Sequence, residues 1–183
     1  MNIAAFDLSL SGTGYAFSGT GSNLYLNVLT PAKQLAGMAR LDWIRARVLE
    51  IADRAELVIF EDLVPSNTTG HTDIVGLAYL IRRELWYNSI PYLLVFPTQL
   101  KKFACGSAGS AKNPVKKEHV LKAVFQRWGL DVNDNNVADA IVLNFIARAL
   151  VGEWECQIDA QRDVLAKLRI SNASALKELG VAT

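Results

Sequence analysis

The chain has 183 residues, 51% of them hydrophobic, and its 19 Lys and Arg against 18 Asp and Glu leave a net charge of +1. Such a length predicts one domain with an ample core. No apolar run approaches the roughly 18–20 residues that would cross a membrane. Two cysteines, Cys105 and Cys156, make neither a disulfide framework nor a metal cluster, so reduced thiols and a cytoplasmic location are expected. The first residues lack a basic region before their apolar run, which Asp7 breaks early, so no signal peptide is expected.

Residues 2–8 read as a buried strand. Gly12, Gly14, Gly19 and Gly21 punctuate the next stretch, in which 15–17 and 24–28 read as two more strands of a meander. Met38, Leu41, Ile44, Val48 and Ile51 recur at helical spacing over 36–54. Residues 56–62 return to strand, 65–70 form a polar loop, and Ile74, Leu77, Ile81 and Leu85 mark a second helix. A short strand at 92–95 leads into Pro97-Thr98-Gln99, a helix start carrying Lys101 and Lys102. A loop of small residues, 106–114, precedes a helix with Val120, Leu121, Val124 and Trp128 inward, ended by Gly129. Asp134 or Asn135 caps the next helix, about 136–151. The predicted domain is 1–151. Residues 152–183 form a more charged C-terminal tail with weak helical patterns at 158–169 and 173–179. A meander followed by alternating strands and helices predicts an α/β fold, a mixed five-stranded sheet flanked by helices.

The charge is unevenly spread. Between Leu100 and Trp128 lie Lys101, Lys102, Lys112, Lys116, Lys117, Lys122 and Arg127 against the single acid Glu118, a segment of +6 in a chain otherwise at −5. A local basic stretch on a neutral protein suits a polyanionic partner.

Three carboxylates occupy core elements. Asp7 ends the apolar run Ile3-Ala4-Ala5-Phe6, and Glu61 ends Leu57-Val58-Ile59-Phe60. Asp139 sits inside Val137-Ala138-Asp139-Ala140-Ile141-Val142-Leu143. Ionised carboxylates are rarely buried unless paired or bound to a cation. Asn136 lies three residues before Asp139, on the same helical face, and adds an amide oxygen. Oxygen donors of this kind suit Mg²⁺, and two such ions can serve phosphodiester cleavage. The two histidines, His71 and His119, have no metal-ligand spacing and do not support a zinc or serine-hydrolase site. The stretch Asp7-Leu8-Ser9-Leu10-Ser11-Gly12-Thr13-Gly14 also resembles the phosphate loop of sugar kinases and actin-like ATPases, but those enclose ATP between two such domains and this chain is too short.

Three segments, taken in order, resemble the motifs of RuvC-type Holliday junction resolvases, especially phage-encoded ones. They are Ala5-Phe6-Asp7-Leu8-Ser9-Leu10-Ser11-Gly12-Thr13-Gly14-Tyr15-Ala16, Val58-Ile59-Phe60-Glu61-Asp62, and Asp134-Asn135-Asn136-Val137-Ala138-Asp139-Ala140-Ile141-Val142-Leu143. Between the last two, Pro97-Thr98-Gln99-Leu100-Lys101-Lys102 and Lys116-Lys117-Glu118-His119-Val120 resemble the family's basic segment. The resemblance spans about residues 1–150. It implies an RNase H-like fold, a homodimer, and Mg²⁺- or Mn²⁺-dependent cutting of branched DNA, with two ions per site. It carries metal-ligand roles onto Asp7, Glu61 and Asp139. It places Asn136 where the family commonly has Asp or His, with Asp134 as the alternative fourth ligand. Lys116 or Lys117 falls at the family's lysine near the scissile phosphate, and Lys117 is the catalytic candidate. An aromatic probe of the junction has Val64 as its nearest counterpart here. The location it implies is cytoplasmic, or the host cytoplasm for a phage protein.

The expected reaction is paired, symmetrical nicking of a four-way junction that leaves 5′-phosphate and 3′-hydroxyl ends. Lys101, Lys102, Lys112, Lys116 and Lys117 are the expected phosphate contacts. Two alternatives are an RNase H-like nuclease for flaps, RNA or hybrids, and a junction-binding protein without cleavage.

Overall fold

The computed structural model describes residues 1–19, 23–62 and 71–181. Strands β1 (Ile3–Asp7), β2 (Thr13–Ser18) and β3 (Leu24–Leu29) are followed by helix α1 (Gly37–Ala52), β4 (Leu57–Glu61), α2 (His71–Tyr87) and β5 (Tyr92–Val95). Five helices complete the chain: α3 (Pro97–Cys105), α4 (Lys117–Trp128), α5 (Asn135–Leu150), α6 (Asp159–Ser171) and α7 (Ala173–Glu178). The sheet order is β3-β2-β1-β4-β5. The first three strands are an antiparallel meander, and β4 and β5 add in parallel beside β1. The mixed five-stranded sheet read from the sequence is therefore present, with boundaries shifted by one or two residues, the ordinary fraying of element ends.

Strand periodicity divides the core into two layers. Ile3, Ala5, Leu57, Ile59, Leu93 and Val95 point to one face, under α3, α4, α5 and α6. Ala4, Phe6, Val58 and Phe60 point to the other, where Leu41, Ile44 and Val48 of α1 and Leu77, Ile81 and Leu85 of α2 cover them. The rings of Phe6 and Phe60 stack at 5.6 Å across the parallel pair. Helix α5 is buried on nearly its whole circumference, which explains why its sequence has no polar stripe.

The C-terminal segment packs into the same core. Val164, Leu165, Leu168 and Leu176 join the layer of Leu93, Leu100 and Phe103. Trp154 closes an aromatic group with Phe145, at 5.5 Å, and with Trp128, at 6.1 Å. Gln161 is fully buried; its Nε2 donates to the carbonyl of Phe103, and its Oε1 accepts from the N–H of Gln157. At the free edge of the sheet, the Asn172 side chain pairs with the backbone of Leu94. Its Oδ1 accepts from the Leu94 N–H at 2.9 Å, and its Nδ2 donates to the Leu94 carbonyl at 3.2 Å.

Candidate metal centre

Parity and register bring the first two acids together. Asp7 follows Ile3 and Ala5, and Glu61 follows Leu57 and Ile59, so both side chains project toward the α5 face. β1 and β4 run parallel with Phe6 opposite Phe60, and the next step puts Asp7 beside Glu61 at the carboxyl ends of adjacent strands. Neighbouring strands lie about 4.8 Å apart. Open α/β sheets place ligand sites at this end. Asp62 goes the other way: its Oδ1 accepts from Nη2 of Arg82 on α2 at 2.8 Å. That pairing separates the two consecutive acids into one site residue and one structural residue.

Asp139 reaches the same place through the docking of α5. Asp7 pairs with Gly14 across the β1–β2 hairpin. A Cβ on Gly14 would meet the backbone carbon and oxygen of Asn136 at 2.2 Å, so helix and strand touch backbone to backbone there. The turn between the strands is held by Thr13, whose Oγ1 donates to the Ser9 carbonyl at 3.0 Å and accepts from the Ser9 N–H at 3.1 Å. Asp134 is the N-cap of α5; its Oδ1 accepts from the N–H groups of Asn136 and Val137 at 2.8 and 3.0 Å. Asn136 Nδ2 donates to the Gly12 carbonyl at 2.5 Å. Both candidates for the fourth position thus hold the start of α5 in place.

The electrostatics join the three acids in one site. Burial pushes the Asp7 carboxyl well above the usual range, helped by the charges of Asp139, Glu61 and Asp134 and opposed by Lys117. Burial, then Asp139, raises Glu61 from 4.5 to about 7, against Lys101 and Lys117. Burial raises Asp139 from 3.8 to about 6, against the same two lysines. Ion pairs among the described residues engage Glu153, Asp42, Glu50, Asp62, Glu84, Asp163 and Asp159, none of them in this group. The three carboxylates share a field rather than a closed cage: no three His, Cys, Asp or Glu side chains among the described residues converge tightly enough to enclose an ion as they stand.

This donor set fits a hard divalent cation. Three carboxylates share one buried field, two lysines only partly offset their charge, and every candidate donor atom is oxygen, the preference of Mg²⁺ and Mn²⁺. The same shifts couple stability to pH. The folded protein holds protons on these acids that the unfolded chain has released, so stability from this group is full below about pH 4 and is lost as pH rises through about 6 to 7. The three titrate as a coupled set. Without divalent ions, the melting temperature is expected to fall between pH 5 and 8. Added Mg²⁺ or Mn²⁺ should raise it more at pH 8 than at pH 5, because binding must displace the protons. A thermal-shift grid over pH and Mn²⁺ checks this, and an equal metal effect at both pH values would contradict it.

The lysines divide. Lys117 starts α4, and its charge acts on all three acids. Lys101, on α3, acts on Glu61 and Asp139, so it serves the centre as well as the basic surface. Lys102 turns to the C-terminal segment, with Nζ 3.2 Å from Asp163 Oδ2. Lys112 and Lys116 are exposed, Lys112 in a loop pinned by a bridge between Gly109 and Pro114. His119 Nδ1 accepts from the Lys116 N–H at 3.1 Å, a capping contact. Val64 and the loop at 65–70 lie outside the described residues, as does the side chain of His71. Sequence reading missed the part played by Gly14, because the backbone it meets, at Asn136 and Val137, lies far along the chain.

No protein-family model and no curated protein sequence matches the chain. Among solved structures it is similar to RuvC of T. thermophilus in complex with a Holliday junction substrate. The identity is 24% and the TM-score 0.63, over 84% of this chain and 97% of that one. The same RuvC in a separate structure gives 24% and 0.61, over 84% and 98%. The yeast mitochondrial Holliday junction resolvase Ydc2 gives 10% and 0.55, over 96% and 83%. The meander, the two parallel strands and the helix that carries Asp139 are thus arranged in the RuvC fold, a mixed RNase H-like sheet flanked by helices.

Proposed function

We propose that the chain is a metal-dependent endonuclease that resolves Holliday junctions. The observation that carries this reading is the meeting of Asp7, Glu61 and Asp139 at the strand ends of a RuvC fold, with Lys117 and Lys101 beside them. The similar RuvC was solved with a junction substrate. Two Mg²⁺ or Mn²⁺ ions held by the three carboxylates would supply charge stabilisation to the scissile phosphate and acidify the attacking water. Asp7, on the central strand and within the field of both other acids, would be a shared holder of the ions. Lys117 and Lys101 neutralise the phosphate that enters between them. Attack of that water in line with the leaving 3′ oxygen would leave a 5′-phosphate and a 3′-hydroxyl. Lys112 and Lys116 extend the basic surface along the DNA arms, so binding weakens steeply with salt.

A two-fold junction calls for a two-fold protein. The face of α1 and α2 opposite the sheet exposes Met38 (68%), Tyr79 (65%) and Leu80 around Gly76, where a Cβ would meet open space. Asp73 and Arg83 flank this patch on α2. Two such helices crossing antiparallel near Gly76 and Leu80 would bring Asp73 to Arg83 of the partner subunit. We assign the homodimer interface to this face.

The test is a cleavage panel with Mg²⁺ on a mobile four-way junction, a linear duplex, a flap and an RNA–DNA hybrid. Paired nicks confined to the junction are expected. Preferential cutting of the flap or hybrid would move the function elsewhere within the fold. Leu80→Glu is expected to halve the mass in light scattering and to turn paired resolution into single nicks, since buried like charges cost several kcal/mol at an interface. A variant that stays dimeric would place the interface on another face.

A further inference from the structure

One peptide unit at the start of α5 is held from three directions. From the capping side, Asp134 Oδ1 accepts from the N–H groups of Asn136 and Val137. From beneath, Gly14 leaves the space in which the Asn136 carbonyl lies. From the side, Asn136 Nδ2 donates to the Gly12 carbonyl at 2.5 Å, across 124 positions of sequence. Gly12 and Gly14 are buried, and they belong to the hairpin that carries Asp7. Asp139 follows Asn136 by three residues on the same helix.

This arrangement makes a chemical demand. A carbonyl oxygen needs a donor, and the Asn136 amide supplies one. An ionised carboxylate at the same position has none; it would oppose the Gly12 oxygen at hydrogen-bond range and add charge beside Asp7, Asp134 and Asp139. We propose that Asn136 is a positioning residue: its amide N–H clasps α5 to the β1–β2 turn and so sets the separation of Asp139 from Asp7 on which cation binding depends. The role belongs to the donor nitrogen, and a carboxylate cannot replace it. This inference rests on the metal-centre reading above and deepens it.

Mn²⁺ titration calorimetry on the DNA-free protein tests it, with Asp139→Asn as the reference. N136D keeps the shape of the side chain, removes the donor and adds a negative charge. Direct ligation would make N136D bind Mn²⁺ as tightly as the wild type, or more tightly. The clasp makes it bind about ten- to a hundredfold more weakly, the range for lost supporting contacts around a metal, and makes Asn136→Ala fall by a similar factor. Equal or tighter binding by N136D overturns the proposal. So does a fall in melting temperature with Mn²⁺ affinity unchanged, which would show a structural bond and nothing more. Should N136D not fold, the wild type answers by carbon NMR. The Asn136 carboxamide carbon stays in place on Mg²⁺ saturation if the amide only clasps. A shift comparable with that of the Asp139 carboxylate carbon marks ligation and overturns the proposal. Asp139→Asn separates the two readings: if it leaves Mn²⁺ affinity intact, the metal centre itself is wrong. If it abolishes binding while N136D does not weaken it, only the clasp is lost.

Discussion

Gly14→Ala is expected to lower stability by about 3 kcal/mol, at the upper end of what one added methyl costs in a packed interior. The added carbon would stand 2.2 Å from the Asn136 carbonyl carbon and oxygen and 2.6 Å from the Val137 nitrogen. These are backbone atoms of a helix buried on nearly every side, so no side chain can swing away. The strand cannot retreat either, because Gly14 is paired with Asp7 on one side and Val28 on the other. The remaining response is for α5 to lift from β2. Relief of this kind would break the Asn136–Gly12 bond and carry Asp139 away from Asp7. The melting temperature should drop by about 6–12 °C for a chain of this size. Thermal unfolding followed by circular dichroism measures the first effect and junction cleavage the second. A variant with wild-type melting and wild-type cutting would show that the close approach of helix and hairpin is not required.

Asp7→Asn has the opposite profile. It leaves shape unchanged and replaces a carboxyl that burial, more than the charges of Asp139 and Glu61, holds well above the usual range, so the folded protein without metal should be as stable as the wild type or slightly more stable. Cleavage should fall by about a thousandfold, roughly 4 kcal/mol of transition-state stabilisation, because the lost carboxylate ends the central strand beside Glu61 and shares the field of Asp139. Junction binding should persist, since Lys101, Lys112, Lys116 and Lys117 are untouched. A junction-cleavage time course alongside a gel-shift titration separates the two. An Asp7→Asn protein that cuts at the wild-type rate would remove the metal-dependent mechanism altogether.

Much of this was legible in the chain because it depends on local pattern. Apolar runs ending in Asp7 and Glu61 announce strands that deliver acids at their carboxyl ends. Asp139 stands out because an acid within an apolar helix needs a reason. The contacts that tune the site were not legible, since they join distant segments. Nothing near Asn136 reveals that its partner is the Gly12 carbonyl, and nothing near Gly14 reveals a helix backbone lying against it. Lys102 reads like Lys101 in sequence, yet one turns to Asp163 and the other faces the carboxylates, a distinction set by the phase of α3 against α6. The C-terminal segment reads as a charged appendage because charged residues are interspersed along it and its helical patterns are weak. Of its apolar residues, Val164, Leu165, Leu168 and Leu176 fall on the face that meets the core, while Ile170 stays exposed.

The pairing of Asn172 with Leu94 bears on how the protein behaves when crowded. β5 is an edge strand, and an open edge invites any extended segment to add to the sheet. The Asn172 side chain occupies that position with an amide that copies one residue of a neighbouring strand, donor to acceptor and acceptor to donor. The C-terminal segment therefore acts against edge-to-edge stacking as well as completing the core. Chains shortened ahead of Asn172 would precipitate by lateral sheet addition at concentrations the full chain tolerates, whatever stability their remaining core retains.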